Sequence, residues 1–141
     1  MIDRTLVPYG ALVLRLSLGV MFVAHGLLKV LVFTVPGTVQ FFESVGFPGV
    51  LAYFTIVAEL AAGAALILGW HARWAALATV PILLGAAAVH WGNGWVFSAE
   101  GGGWEYPVFL ALAAVVQFLL GDGAFALTRR AAGGQLAVAS R

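Results

Sequence analysis

Apolar residues in this chain come in runs rather than in alternation. Four stretches are almost unbroken: about 10–33, 50–69, 72–91 and 105–121. A strand on a solvated sheet would alternate with period two, and a soluble helix would turn a polar face outward every few residues. A bilayer-crossing helix needs roughly 20 mostly apolar residues. The runs therefore predict an all-α chain, an integral membrane antiparallel four-helix transmembrane bundle, with residues 1–141 forming a single membrane domain. The punctuation agrees. Pro36-Gly37 stops the first helix, and Gly46-Phe47-Pro48-Gly49 opens the second, leaving 35–48 as a loop. The next connector, Gly69-Trp70-His71, is so short that helices two and three must be antiparallel neighbours. The last connector mixes Gly92, Gly94, Gly101, Gly102 and Gly103 with Trp91, Trp95 and Trp104, and tryptophan favours the membrane–water interface. From about 124 to 141 the sequence is rich in Ala and Gly and predicts a flexible tail.

Composition strengthens the membrane assignment. Of 141 residues, 62% are hydrophobic and 9% charged, where a soluble domain carries about a quarter charged residues. The mean hydropathy is +1.02. A net charge of +1 with no basic stripe argues against a nucleic-acid partner. The absence of cysteine removes disulfide, thiol-exchange and iron–sulfur chemistry from this chain. The first run is too long for a signal-peptide core of about 7–15 residues, so it is read as a retained helix. Charge then orients the bundle. Arg4, Arg15, Arg73, Arg129, Arg130 and Arg141 fall on one side and only Lys29 on the other. The positive-inside rule puts both termini in the cytoplasm.

A few ionisable groups interrupt the apolar runs: Arg15, His25, Lys29, Glu59, His90 and Glu105, with neutral Gln117. Such groups cost a few kcal/mol each on insertion scales and usually face the bundle interior. With a rise of about 1.5 Å per residue, His25 and Glu59 lie at similar depth, and Lys29 is one turn from His25 on the same face. His90 and Glu105 sit at the outer ends of spans three and four. The expectation is an outward-leaning cluster of His25, Lys29, His90 and Glu105 with Glu59 beneath it. Each has an alternative. Arg15 can snorkel or set topology, or reach the bundle axis. Lys29 can snorkel or pair with a carboxylate. His90 can be an interfacial histidine. Glu105, followed by Pro107, suits a helix N-terminus. Gln117 can bond between helices. Glu59, in mid-span, requires a proton or a partner among His25, Lys29 and Arg15. Ala58, Ala62, Ala65, Gly85 and Ala88 are the expected close-packing positions.

The chain resembles the DoxX family of small bacterial four-span membrane proteins. The likeness rests on Arg15-x-x-x-Gly19-x-x-Phe22-x-x-His25-Gly26-x-x-Lys29, on Gly46-Phe47-Pro48, on Ala58-Glu59-Leu60 with Gly63 and Leu68-Gly69, and on Arg73 and His90. Glu105-Tyr106-Pro107 and Gly121-x-Gly123 complete it, so that it covers roughly residues 10–127. The resemblance implies a bacterial inner (plasma) membrane protein related to the DoxD subunit of thiosulfate:quinone oxidoreductase. Other members are linked to oxidative-stress resistance through partner proteins. It further implies a polar core of Arg15, His25, Lys29, Glu59 and Glu105.

Two functions compete at this level. One is a quinone-linked redox subunit, in which His25 and Lys29 supply hydrogen-bond donors and Glu59 relays protons, as catalytic residues. Arg15, His25, Lys29, Glu59, His90 and Glu105 would then bind the quinone, and Phe22, Tyr53, Trp91 and Trp104 would wall its ring. The other is a non-enzymatic assembly or scaffold subunit, with a protein partner or a second copy of itself in the bilayer. Haem or metal ligation by His25 and His90 has no supporting motif spacing, so neither haem nor a metal site is expected. No inverted repeat or broken helix speaks for a transporter.

Overall fold

The computed structural model describes residues 3–128. The described residues form helices joined by turns. They are α1 (Val7–Leu27) continued by a π turn (Leu28–Val32), α2 (Val35–Ser44), α3 (Val50–Leu68), α4 (Ala72–His90) with a 3₁₀ turn (Trp91–Asn93), and α5 (Glu105–Leu120). Three of them are long and apolar enough to cross a membrane: Val7–Val32, Val50–Leu68 and Ala72–Asn93. α5 is apolar but shorter, at 16 residues.

The four long helices close a ring in the order α1, α3, α4, α5, with α1 packed most extensively on α3 and α4 on α5. α1 and α3 run antiparallel: Gly26 meets Leu60, while Gly19 meets Gly63 and Ile67. Their backbones touch. A Cβ on Gly63 would lie 2.9 Å from both Gly19 O and Val23 N. Backbone neighbours cannot yield as a flexible side chain can, so glycine is required there. Close approach of this kind is what binds helices where lipid removes the hydrophobic driving force. It lies at Gly19, Gly26 and Gly63. Gly85 has nothing within 4 Å of its would-be Cβ.

The segment expected to be a loop after the first span contains a helix instead. Thr34, at φ 62°, accepts a hydrogen bond from Gly37 N at 3.3 Å, and Pro36 sits in the first turn. The Thr-x-Pro pattern that reads as a helix stop is therefore also the start of α2. Thr38 then ties α2 to the π turn. Its buried hydroxyl donates to Lys29 O and is 3.0 Å from both Lys29 O and Thr34 O. α2 packs on α3 and on the π turn, at the bundle end opposite the α3–α4 connection.

At that other end, residues 121–128 fold back across the helix ends. Ala124 N donates to Pro8 O at 2.8 Å, and Thr128 N to Gly69 O at 3.3 Å. His71 N donates to Thr128 Oγ1 at 2.8 Å, and Arg73 N to Asp122 Oδ1 at 2.9 Å. Asp122 thus caps the first turn of α4 from another part of the chain, with its charge at the favourable end of the helix dipole. Of the tail expected from about residue 124, residues 124–128 belong to this strap. Residues 129–141, with Arg129, Arg130 and Arg141, lie outside the described residues.

Candidate functional site

Between the helices, at the α2 end, lies a partly open cavity of about 500 Å³. α4 lines it with Pro81, Ile82, Leu83, Gly85, Ala86 and Val89. Phe22, Phe41, Phe42, Phe47, Phe54 and Tyr106 supply aromatic walls. The ionisable lining residues other than Tyr106 are His25, Lys29, Glu59 and His90.

Lys29 and Glu59 form an ion pair. Lys29 Nζ lies 2.8 Å from Oε2 and 2.9 Å from Oε1 of Glu59. The carboxylate is the more deeply buried partner, at 7% exposure against 18% for the lysine. The sequence left Glu59 a choice among His25, Lys29 and Arg15; the geometry selects Lys29. Antiparallel packing brings the end of α1 beside the middle of α3. An ammonium has three donors, and Glu59 takes two of them.

His25 is held in one tautomer. Its Nδ1 is 2.8 Å from Met21 O. A carbonyl only accepts, so Nδ1 carries hydrogen, and in the neutral ring Nε2 presents a lone pair. The ring stacks on Tyr106 at 6.3 Å between centroids. Tyr106 Oη in turn contacts Met21 Sδ at 2.7 Å. His90 reaches the cavity from α4 but is also bonded to the connector, its Nδ1 3.0 Å from Gly101 O.

The structure therefore brings His25, Lys29, Glu59 and His90 to one hollow, and places Arg15 and Glu105 elsewhere. Glu105 accepts from Phe97 N at 2.9 Å and lines a separate hollow. Arg15 is 2% exposed among residues at the strap end, with Nη2 3.3 Å from Ala124 O. Of the proposed ring-walling aromatics, only Phe22 lines the cavity. Trp91 and Tyr53 are exposed, and Trp104 stacks on Trp91 at 4.6 Å. Reading 35–48 as a loop hid Phe41, Phe42 and Phe47. The signal available was their clustering behind a Thr-x-Pro helix start.

The arrangement defines a multi-pass helical membrane protein in which His25, Lys29, Glu59 and His90 line a mostly apolar cavity. The chain belongs to the DoxX family, whose model matches residues 10–91. It is also similar to the Bacillus subtilis (strain 168) protein "Putative oxidoreductase CatD", at 36% identity over 77 residues. That match spans 55% of this chain and 56% of the relative. No solved structure matches. The matched family region holds Arg15, His25, Lys29, Glu59 and His90, but neither Tyr106 nor Glu105.

Proposed function

We propose that the cavity binds a quinone headgroup, and that the chain is a quinone-linked membrane subunit working with a redox partner protein. The observation that carries this is the cavity's make-up. It is a mostly apolar space of about 500 Å³ with six aromatic side chains in its lining and few ionisable groups, two of which, Lys29 and Glu59, are paired. That is the usual character of a small-molecule site, with apolar walls and a small number of orienting polar groups. The name of the CatD relative points the same way.

A bound quinone supplies an electron-and-proton couple. Lys29 keeps one N–H beyond those engaged by Glu59, so it suits a headgroup carbonyl. His25, with its hydrogen on Nδ1, accepts a hydroxyl proton at Nε2 and returns it in the opposite direction. Glu59 holds the Lys29 side chain in place through both carboxylate oxygens. His90 bounds the site from α4. Arg15 and Glu105 take no part in headgroup binding in this reading. α5 crosses the bilayer as a fourth span, slightly short at about 24 Å. The end bearing Arg4 and Arg73 faces the cytoplasm, and the cavity lies toward the outer side of the inner membrane.

The test is a lipid extract of the purified protein, paired with a titration of menadione, a quinone headgroup without a chain, against its tryptophan fluorescence. Co-purifying quinone and saturable binding are expected. No quinone in the extract and no saturable binding would sink the reading.

A further inference from the structure

A second hollow lies beside the first. It measures about 380 Å³ and is lined by Trp95, Phe97, Glu105, Val108, Phe109 and Leu112, together with Tyr106. Tyr106 lines both hollows, so its ring is the partition between them. The partition is lightly held. Its hydroxyl meets only the thioether of Met21, a weak acceptor. The ring rests on His25 at 6.3 Å rather than in tight contact.

The two hollows differ in character. The inner one carries the ion pair and two histidines. The outer one is apolar except for Glu105, and its walls Phe109 and Leu112 are exposed on the side of α5, at 67% and 62%. One oxygen of Glu105 is already taken by Phe97 N. A carboxylate at this place repels an anionic lipid headgroup but leaves a neutral hydrocarbon chain undisturbed. A mostly apolar hollow holding a few ionisable groups, set beside an apolar groove along α5 with Tyr106 shared by both, suits a ligand with a compact polar head and a hydrocarbon tail.

We infer that the groove along α5 takes the isoprenoid tail of the same quinone whose head occupies the inner cavity, with Tyr106 dividing head from tail. This rests on the quinone reading above. The inference assigns Val108, Phe109 and Leu112 to the tail and makes Tyr106 the residue the ligand passes.

The experiment is photo-crosslinking of the full-length protein in nanodiscs. The probe is a naphthoquinone whose isoprenoid-like chain carries a diazirine close to the head, competed by excess menadione. Mass spectrometry maps the label. The expected result is saturable labelling on Val108, Phe109 and Leu112 that menadione suppresses, and its loss in Val108→Trp, which fills the groove without touching the inner cavity. Menadione binding by Val108→Trp, followed by isothermal titration calorimetry, is expected to match wild type, which shows that the variant folds. Menadione-sensitive labelling on the opposite side of the cavity, at Leu51 or Phe54, would overturn the groove assignment and leave the quinone reading standing. Labelling that menadione does not suppress anywhere would overturn both.

Discussion

Arg15, buried, and Lys29, partly buried, are both cations on the first span, and the bundle treats them in opposite ways. Lys29 meets a carboxylate on α3 and faces an open cavity. Arg15 has no carboxylate within 4 Å among the described residues. Its hydrogen bond goes to a backbone carbonyl, Ala124 O, and Nε and Nη1 have no hydrogen-bond partner among the described residues. A Cβ on Gly69 would overlap Arg15 Nη1, so the guanidinium is packed against the left-handed turn that ends α3. The lesson is that burial of charge alone does not mark a site. Space and a shared partner do. The α2 end has both. At the strap end Arg15 packs against Gly69 and bonds the backbone of Ala124.

The comparison breaks most visibly if the paired end is disturbed on one side only. Glu59→Leu leaves the partly buried Lys29 without its counter-ion, at a cost of about 2–3 kcal/mol. The expected outcome is a collapse in yield and a steep fall in Tm. The double variant Lys29→Met with Glu59→Leu removes both charges. It is expected to recover most of the Tm yet fail to bind menadione. Recovery without the double change would mean that the ion pair does not hold the site.

Next in size is Gly69→Ala. Gly69 sits at φ 70°, where a side chain costs about 1–2 kcal/mol before any clash. Displacing Arg15 adds to that. Tm is expected to fall while menadione affinity stays near wild type, because the damage is at the far end. Arg15→Met should be milder, on the order of 1–2 kcal/mol, since it orphans one carbonyl and no carboxylate. Limited proteolysis within 121–128 is the sensitive readout, and the variant should be cut faster there. If Arg15→Met abolished menadione binding instead, the division between the two ends would be wrong.

The smallest effect on stability is expected from Gly85→Leu. Its would-be Cβ meets nothing within 4 Å, and the residue lines the cavity. Replacing a helical glycine gains roughly 1 kcal/mol of propensity, which offsets lost cavity relaxation. Tm should be unchanged or slightly raised while menadione binding is lost. That combination would locate the ligand without damaging the fold.

Much of this was legible in the sequence. The helices follow from apolar runs because burial in lipid demands little more than length and hydrophobicity. The observed bounds of α3, α4 and α5 fall within two residues of those runs. Glu59 was legible as needing a partner, since a mid-span carboxylate has few alternatives. Its choice of Lys29 depends on antiparallel register, which no single run encodes. α2 escaped because Pro36-Gly37 punctuates both the end of one helix and the start of another. The close approach at Gly19 and Gly63 escaped because small residues on α3 are abundant, and only the facing helix decides which of them is needed. Arg15 looked like a member of the polar core because its position in sequence says nothing about residues 121–128, which cover it.

That cover has a consequence for the order in which the molecule is made. Arg15 and its carbonyl partner Ala124 are 109 residues apart. The first span leaves the ribosome, and can enter the bilayer, well before the strap has been synthesised. Through that interval its guanidinium must be served by water, by lipid headgroups or by the insertion machinery. The α2 end has no such delay, since Lys29 and Glu59 are separated by only 30 residues. Biogenesis is thus expected to proceed from the cavity end toward the termini, and a chain cut before residue 124 would emerge with its cavity assembled and its opposite end unsealed.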